Sequence, residues 1–335
     1  MLEFSIIHAD DRRSRLERWL SEVLPAELRG APFTLTPASE DASFRRYFRA
    51  TLDDGRSFVI MDAPPEKEDC RPFVHVARLL HDAGVHAPVV HAADLAAGFL
   101  LLSDLGTRTY LTELNAGNAD ALLRDATDAL LRWQLATRPH ELPPYDEALL
   151  RREMNLFTEW YVGRHRGMTL GSAQAQTLEG IFARLVKSAL EQPAVYAHRD
   201  YMPRNLMVSE PNPGVLDFQD AVIGPISYDM VSLLRDAFIS WDEERVLDWS
   251  VRYWDKARAA RLPVPGEFAE FWRAFEWMGL QRHLKVLGIF ARINYRDGKP
   301  RYLEDTPRFL RYARTVAERY RDLAPLARLL DEIEA

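Results

Sequence analysis

Four residues have types and a spacing that fit phosphoryl-transfer chemistry: His198, Asp200, Asn205 and Asp217. The first three lie in His198-Arg199-Asp200-Tyr201-Met202-Pro203-Arg204-Asn205, and the last ends the apolar step Val215-Leu216-Asp217-Phe218. Phosphoryl transfer asks little covalent work of a protein, so catalysis reduces to positioning the nucleophile and neutralising charge. Asp200 suits the carboxylate that orients and deprotonates a hydroxyl. Asn205 and Asp217 offer hard oxygens, which magnesium accepts while it takes the rest of its shell from phosphates and water. Any one of these residues alone reads as an ordinary turn residue. Their combination with two flanking apolar runs points instead to a base and a metal pair.

Those side chains need a scaffold that brings them together. Pro203 fixes φ inside the loop, and Leu206 to Val208 reads as a short strand that pairs with Val215-Leu216 across the turn Glu210-Pro211-Asn212-Pro213-Gly214. Asn205 and Asp217 then fall at neighbouring ends of one hairpin. Upstream, Leu16, Trp19, Leu20, Val23 and Leu24 form the apolar stripe of a helix over 11–24. Phe44 to Leu52 and Ser57 to Met61 read as strands joined at Asp53-Asp54-Gly55, followed by a helix over 72–83 and strands at Val89-Val90 and Phe99 to Leu102. After Gly106 the texture turns helical: 120–136, 146–165, 173–190, 228–239, 243–260, 267–293 and 308–321. The pattern predicts an α+β chain of two lobes, a small antiparallel-sheet lobe over 1–106 and a larger helical lobe over 107–335.

The loop His198 to Asn205, with Asp217-Phe218, resembles the catalytic loop and metal-binding Asp of the aminoglycoside phosphotransferase family, the small-molecule branch of the protein-kinase-like fold. The segments Cys70 to Val74, Gly98 to Gly106 and Asp217 to Ala221 through Tyr228 to Asp236 are similar to members of that family that recycle cell-wall amino sugars. The resemblance spans roughly Phe33 to Trp254. It implies ATP and magnesium as cofactors, and phosphorylation of the anomeric hydroxyl of N-acetylmuramate or N-acetylglucosamine to the sugar 1-phosphate. It also implies that backbone groups of Leu102, Ser103, Asp104 and Leu105 form an inter-lobe hinge against adenine. A turn holding Ser43, Phe44 and Arg45 would cover the nucleotide phosphates, although it lacks the glycines of the family's form.

A second departure is the strand-three lysine that kinase-like folds present to phosphate. Phe58-Val59-Ile60-Met61-Asp62 places Met61 or Asp62 there, and Lys67 lies just beyond among Glu66, Glu68 and Asp69, as much a surface charge as a substitute. Either magnesium and an arginine carry the phosphate charge or another basic residue reaches in. Arg204 is a candidate for the phosphoryl group or a substrate carboxylate, and Asp220 for a sugar hydroxyl or amide. A local loop hydrogen bond or a surface charge fits each equally. His198 reads as a brace on the loop, and Asp229 as a helix cap or brace. Trp241, Trp249, Trp254, Trp272 and Trp277 read mostly as core. Two rivals stay open: another hydroxyl kinase of the same fold, acting on an aminoglycoside or amino alcohol, and a nucleotide-binding pseudokinase suggested by the missing lysine.

Bulk properties narrow the field. The 335 residues carry a net charge of −7 and are 47% hydrophobic, which argues against a nucleic-acid partner and for a substantial core around a small-molecule site. The single Cys70 cannot form an internal disulfide, in keeping with a reducing compartment. No signal-peptide pattern and no apolar run of about 18 to 20 residues is present. The expectation is a cytoplasmic enzyme with no membrane segment and no evident obligate protein partner.

Overall fold

The computed structural model describes residues 2–24, 28–39 and 44–335. Helix α1 (Leu2–Val23) begins well before the predicted Asp11 and lies against a five-stranded antiparallel sheet. The sheet comprises β1 (Phe33–Ser39), β2 (Arg46–Leu52), β3 (Ser57–Asp62), β4 (Val90–Asp94) and β5 (Phe99–Ser103), with α2 (Arg71–Asp82) between β3 and β4. Its order is β1-β2-β3-β5-β4, so β5 inserts between β3 and β4. The β2–β3 hairpin turns at Asp53-Asp54-Gly55 as expected, with Leu52 accepting the Gly55 N–H at 3.0 Å and Gly55 at φ 85°.

The sheet is covered on both faces, and this sets the architecture. On one face Leu16, Leu20 and Leu24 of the predicted stripe bury against Ile60, Phe99 and Leu101, each side chain contributing about 1.5 to 3 kcal/mol. On the other, Met61, Leu100 and Leu102 join α2 residues Phe73, Val76 and Leu80 in a core that continues into the helical lobe. Alternation along β3 and β5 explains the division: Ile60 and Leu101 point to α1, Met61, Leu100 and Leu102 to α2.

The helical lobe follows with α3 (Tyr110–Glu113), α4 (Ala119–Leu135), α5 (Glu147–Leu156), a π-helical turn at Phe157–His165 and α6 (Ser172–Leu190). Then come β6 (Ala194–Ala197), a 3₁₀ turn at Pro203–Asn205, β7 (Leu206–Met207), β8 (Gly214–Val215), β9 (Val222–Pro225) and α7 (Tyr228–Leu234). The chain ends with α8 (Glu243–Ala259), α9 (Phe268–Asp297), a 3₁₀ segment at Pro300–Asp305, α10 (Thr306–Arg319) and α11 (Ala324–Glu334). The predicted helix over 146–165 is thus α5 running into a π-helix. There α9 comes so close that a Cβ on Gly288 would lie 2.2 Å from the Leu156 carbonyl carbon. Any larger residue at Gly288 would push α9 off this junction. The predicted helix over 228–239 stops at Leu234, and α3, α11 and the β6–β9 pair went unpredicted. Among the described residues no helix is long and apolar enough to cross a membrane.

Candidate active site

The expected hairpin forms, with Leu206 opposite Val215 and Met207 opposite Gly214, so that Gly214 belongs to a strand and not to the turn. The Leu216 N–H donates to the Asn205 carbonyl at 2.9 Å, which sets Asp217 beside Asn205. The Asn205 Nδ2 donates to the Asp200 carbonyl at 2.9 Å and lies 3.4 Å from Asp217 Oδ2. Asp200, Asn205 and Asp217 therefore converge. Because the Asn205 amino group is spent on the loop, its oxygen is left for a cation. Among the described residues no three His, Cys, Asp or Glu side chains could cage a metal unaided. That donor set suits magnesium carried in on phosphates, since the ion readily completes its shell with phosphate oxygens.

Backbone strain accompanies this convergence. Arg199 sits at φ 74° and Asp217 at φ 60°, left-handed conformations that non-glycine residues seldom adopt. Asp229 holds the first of them. In the opening turn of α7, its buried carboxylate accepts the His198 N–H at 2.7 Å and the Arg199 N–H at 2.9 Å. Of its two predicted roles it has the brace, while Ser227 takes the helix-cap position. Burial raises the Asp229 pKa even though His198 and the two amides oppose it. His198 is fully enclosed, with Nδ1 accepting the Asp200 N–H at 3.2 Å. Burial lowers its pKa, against Asp229, Asp200 and the Leu216 backbone beside Asp217. Gln219, which no sequence signal marked, donates from Nε2 to Asp217 Oδ1 at 2.9 Å.

A buried ionic cluster lies beneath the loop. Glu153 of α5 takes Lys285 Nζ of α9 at 2.8 Å and Arg199 Nη2 on the same oxygen, while the Tyr145 hydroxyl donates to its other oxygen. Lys285 also meets the Tyr228 hydroxyl at 3.1 Å. Burial opposes the charge on Glu153, but Lys285 and Arg199 together hold its pKa at about 2. The residue preceding Asp200 is thereby tied to two helices.

Two recesses meet at the convergent trio. A cleft of about 310 Å³ between the lobes is lined by Leu102 to Leu105 and by Arg204, Asn205 and Asp217. A chamber of about 590 Å³ continues from it, lined by Asp200, Asp220, Arg45, Arg204 and Arg292, with Asn205 and Asp217 common to both. The hinge carboxylate of Asp104 is occupied: it takes Arg49 Nη2 at 3.1 Å, Ser57 Oγ at 2.7 Å and the Gly106 N–H at 2.9 Å. Burial opposes its ionisation, but these donors hold its pKa below the usual carboxylate range. The Ser103 N–H is likewise spent, donating to the Val89 carbonyl at 3.0 Å.

The phosphate turn resolves in part. Ser43 lies outside the described residues. Phe44 and Arg45 stand at the chamber and not in the cleft, with Arg45 paired to Glu68 at 2.9 Å. Lys67 is exposed and packs 4.5 Å from the Phe44 ring centroid. Asp62, at the expected lysine position, is buried and bonded by Arg12 at 2.7 Å and Arg46 at 3.0 Å. Asp220 lines the chamber, and its carbonyl accepts Arg199 Nη1 at 3.1 Å. The five tryptophans do not line the Asp200 chamber; Trp249 and Trp277 are buried, and Trp241, Trp254 and Trp272 pack against the core.

A sheet lobe on a helical lobe, with a loop carboxylate beside an Asn–Asp pair at the edge of an interlobe cleft, defines a small-molecule kinase of protein-kinase-like architecture. The chain belongs to the phosphotransferase enzyme family, whose model matches residues 34–264. It is similar to the N-acetylmuramate/N-acetylglucosamine kinase of Pseudomonas putida, 56% identical over 97% of this chain and 98% of that protein. The protein of the same name from Neisseria meningitidis is 52% identical over 96% of each chain. An ADP-bound aminoglycoside phosphotransferase superposes with a TM-score of 0.56 at 15% identity, covering 86% of this chain and 98% of that one. The protein is an ATP-dependent kinase.

Proposed function

We propose that this kinase phosphorylates the anomeric hydroxyl of N-acetylmuramate and N-acetylglucosamine, using ATP with magnesium, in the cytoplasmic reuse of cell-wall sugars. The observation that carries the reading is the meeting of Asp200 with Asn205 and Asp217 where cleft and chamber join. The nucleotide occupies the cleft with adenine at the hinge, and the sugar occupies the chamber. Asp200 accepts the proton of the attacking hydroxyl while its oxygen bonds to the γ-phosphorus and the bond to ADP breaks. Asn205 and Asp217 would hold magnesium, which supplies charge neutralisation on the phosphates. Arg204, lining both recesses, faces the phosphoryl group in transit. Gln219 orients Asp217, and Asp229 with His198 fixes the loop.

The chamber's lining is mixed in charge: Arg45 pairs with Glu68, and Arg204 and Arg292 share it with Asp200, Asp217 and Asp220. The preference for an amino sugar over an aminoglycoside or amino alcohol therefore rests on the similarity to the N-acetylmuramate/N-acetylglucosamine kinases. Against a pseudokinase role, Asp200, Asn205 and Asp217 are all present and lie together. The deciding experiment is a panel of amino sugars, aminoglycosides and amino alcohols assayed for ADP formation, with the product read by phosphorus NMR. A phosphate at carbon 6, or turnover confined to a cationic acceptor, refutes the reading.

A further inference from the structure

The three arginines of the chamber are in different circumstances. Arg45 is neutralised by Glu68 at 2.9 Å. Arg204 serves cleft and chamber alike and lies 5.5 Å from the Phe238 ring centroid. Arg292, near the C-terminal end of α9, lines the chamber and not the cleft, and no described residue gives it a hydrogen bond or ion pair. Its Nε is buried without a partner. Its charged neighbours leave it so: Asp297 is taken by Arg296 at 2.6 Å, Arg296 itself repels, and Glu159 is exposed. Burial followed by Arg296 disfavours the Arg292 charge.

A partly buried guanidinium with no counter-ion is costly unless a ligand brings the anion. Two anions enter this site, a nucleotide phosphate and any acid group on the acceptor. The phosphate arrives through the cleft, where Arg204 and the metal pair already stand. Arg292 lines the chamber alone, which it shares with Asp200. Its planar fork matches a carboxylate.

We infer that Arg292 is the carboxylate receptor of the acceptor chamber, binding the lactyl carboxylate that N-acetylmuramate carries and N-acetylglucosamine lacks. The inference rests on the sugar-kinase reading above. It makes Arg292 a specificity residue that separates two substrates sharing the same reactive hydroxyl.

The test compares kcat/KM for N-acetylmuramate, its methyl ester and N-acetylglucosamine in the wild-type protein, Arg292→Gln and Arg292→Lys. In Arg292→Gln the ratio of N-acetylmuramate to N-acetylglucosamine should fall roughly 10- to 100-fold, the scale of a lost charge-assisted bond, chiefly through KM. The wild-type preference for the acid over its ester should vanish in the same variant, and Arg292→Lys should retain part of it. Equal losses on all three sugars in both variants, or an unchanged ratio, overturn the inference alone. Failure of the wild-type protein to turn over either sugar overturns the sugar-kinase reading and this inference with it.

Discussion

Replacing Glu153 by Gln removes the one carboxylate between Arg199 and Lys285 while keeping its size. Both cations are largely buried, at 17% and 11% side-chain exposure against 7% for Glu153. The native carboxyl has a pKa of about 2 against 4.5 for the free side chain, a difference worth about 3 kcal/mol at roughly 1.4 kcal/mol per pH unit. Leaving two enclosed cations without a counter-charge adds to this, so the loss at pH 7 should be about 3 to 5 kcal/mol. The pH dependence carries the sharper signature. A carboxylate with a depressed native pKa stabilises fully above its unfolded value of 4.5 and loses that contribution as pH falls toward about 2. Urea titrations of wild type and Glu153→Gln, followed by tryptophan fluorescence from pH 7 to pH 3, should show a stability gap that is constant above about pH 5.5 and about 2 kcal/mol smaller at pH 3. A gap below about 1 kcal/mol at pH 7, or one that does not narrow with acid, would refute the claim that this cluster anchors the loop.

The remaining expectations concern turnover and the loop. Asp200→Asn should keep nucleotide affinity and lose about 10² to 10⁴ in kcat; near-normal turnover would remove Asp200 as the base. Asp217→Ala should weaken binding of a magnesium–nucleotide complex in calorimetry far more than binding of the nucleotide with EDTA, and equal losses would count against a metal role. Asp229→Asn keeps one acceptor oxygen for two amides, so it should lower stability by about 1 to 3 kcal/mol and slow turnover at unchanged nucleotide affinity. Wild-type behaviour on both counts would show that Arg199 keeps its φ of 74° without the brace.

What the sequence disclosed follows chain locality. Asp200, Asn205 and Asp217 were legible because one loop and one tight hairpin bring them together, and the turn residues Pro211 to Pro213 fix that hairpin's register. The face of α1 was legible because Leu16, Leu20 and Leu24 repeat at helical spacing. Glu153, Lys285 and Arg292 were not, since they reach the site from α5 and α9, whose charges read as surface until the helices are packed. Arg199 gave no warning of a left-handed backbone, because arginine has no local preference for it. Its conformation is imposed by Asp229 and Glu153. The change from α5 to a π-helix was equally hidden, at a junction where Gly288 of α9 packs against the backbone of Leu156 and Phe157. Asp104 shows the opposite case: it lines the cleft, as its place in the sequence suggests, but its carboxylate turns to Arg49 and Ser57.

The core that runs from the sheet through α2 into the helical lobe has a consequence for how the molecule comes apart. Phe73 of α2 lies with its ring centroid 4.6 Å from that of Phe218, the residue after Asp217, and the Val215 N–H donates to the His86 carbonyl at 2.8 Å. A fragment severed after Gly106 would strip the cover from Phe73, Val76 and Leu80, so neither half carries a complete interior of its own. The two lobes should melt as one cooperative unit, and the cleft between them is a seam within a single folding domain.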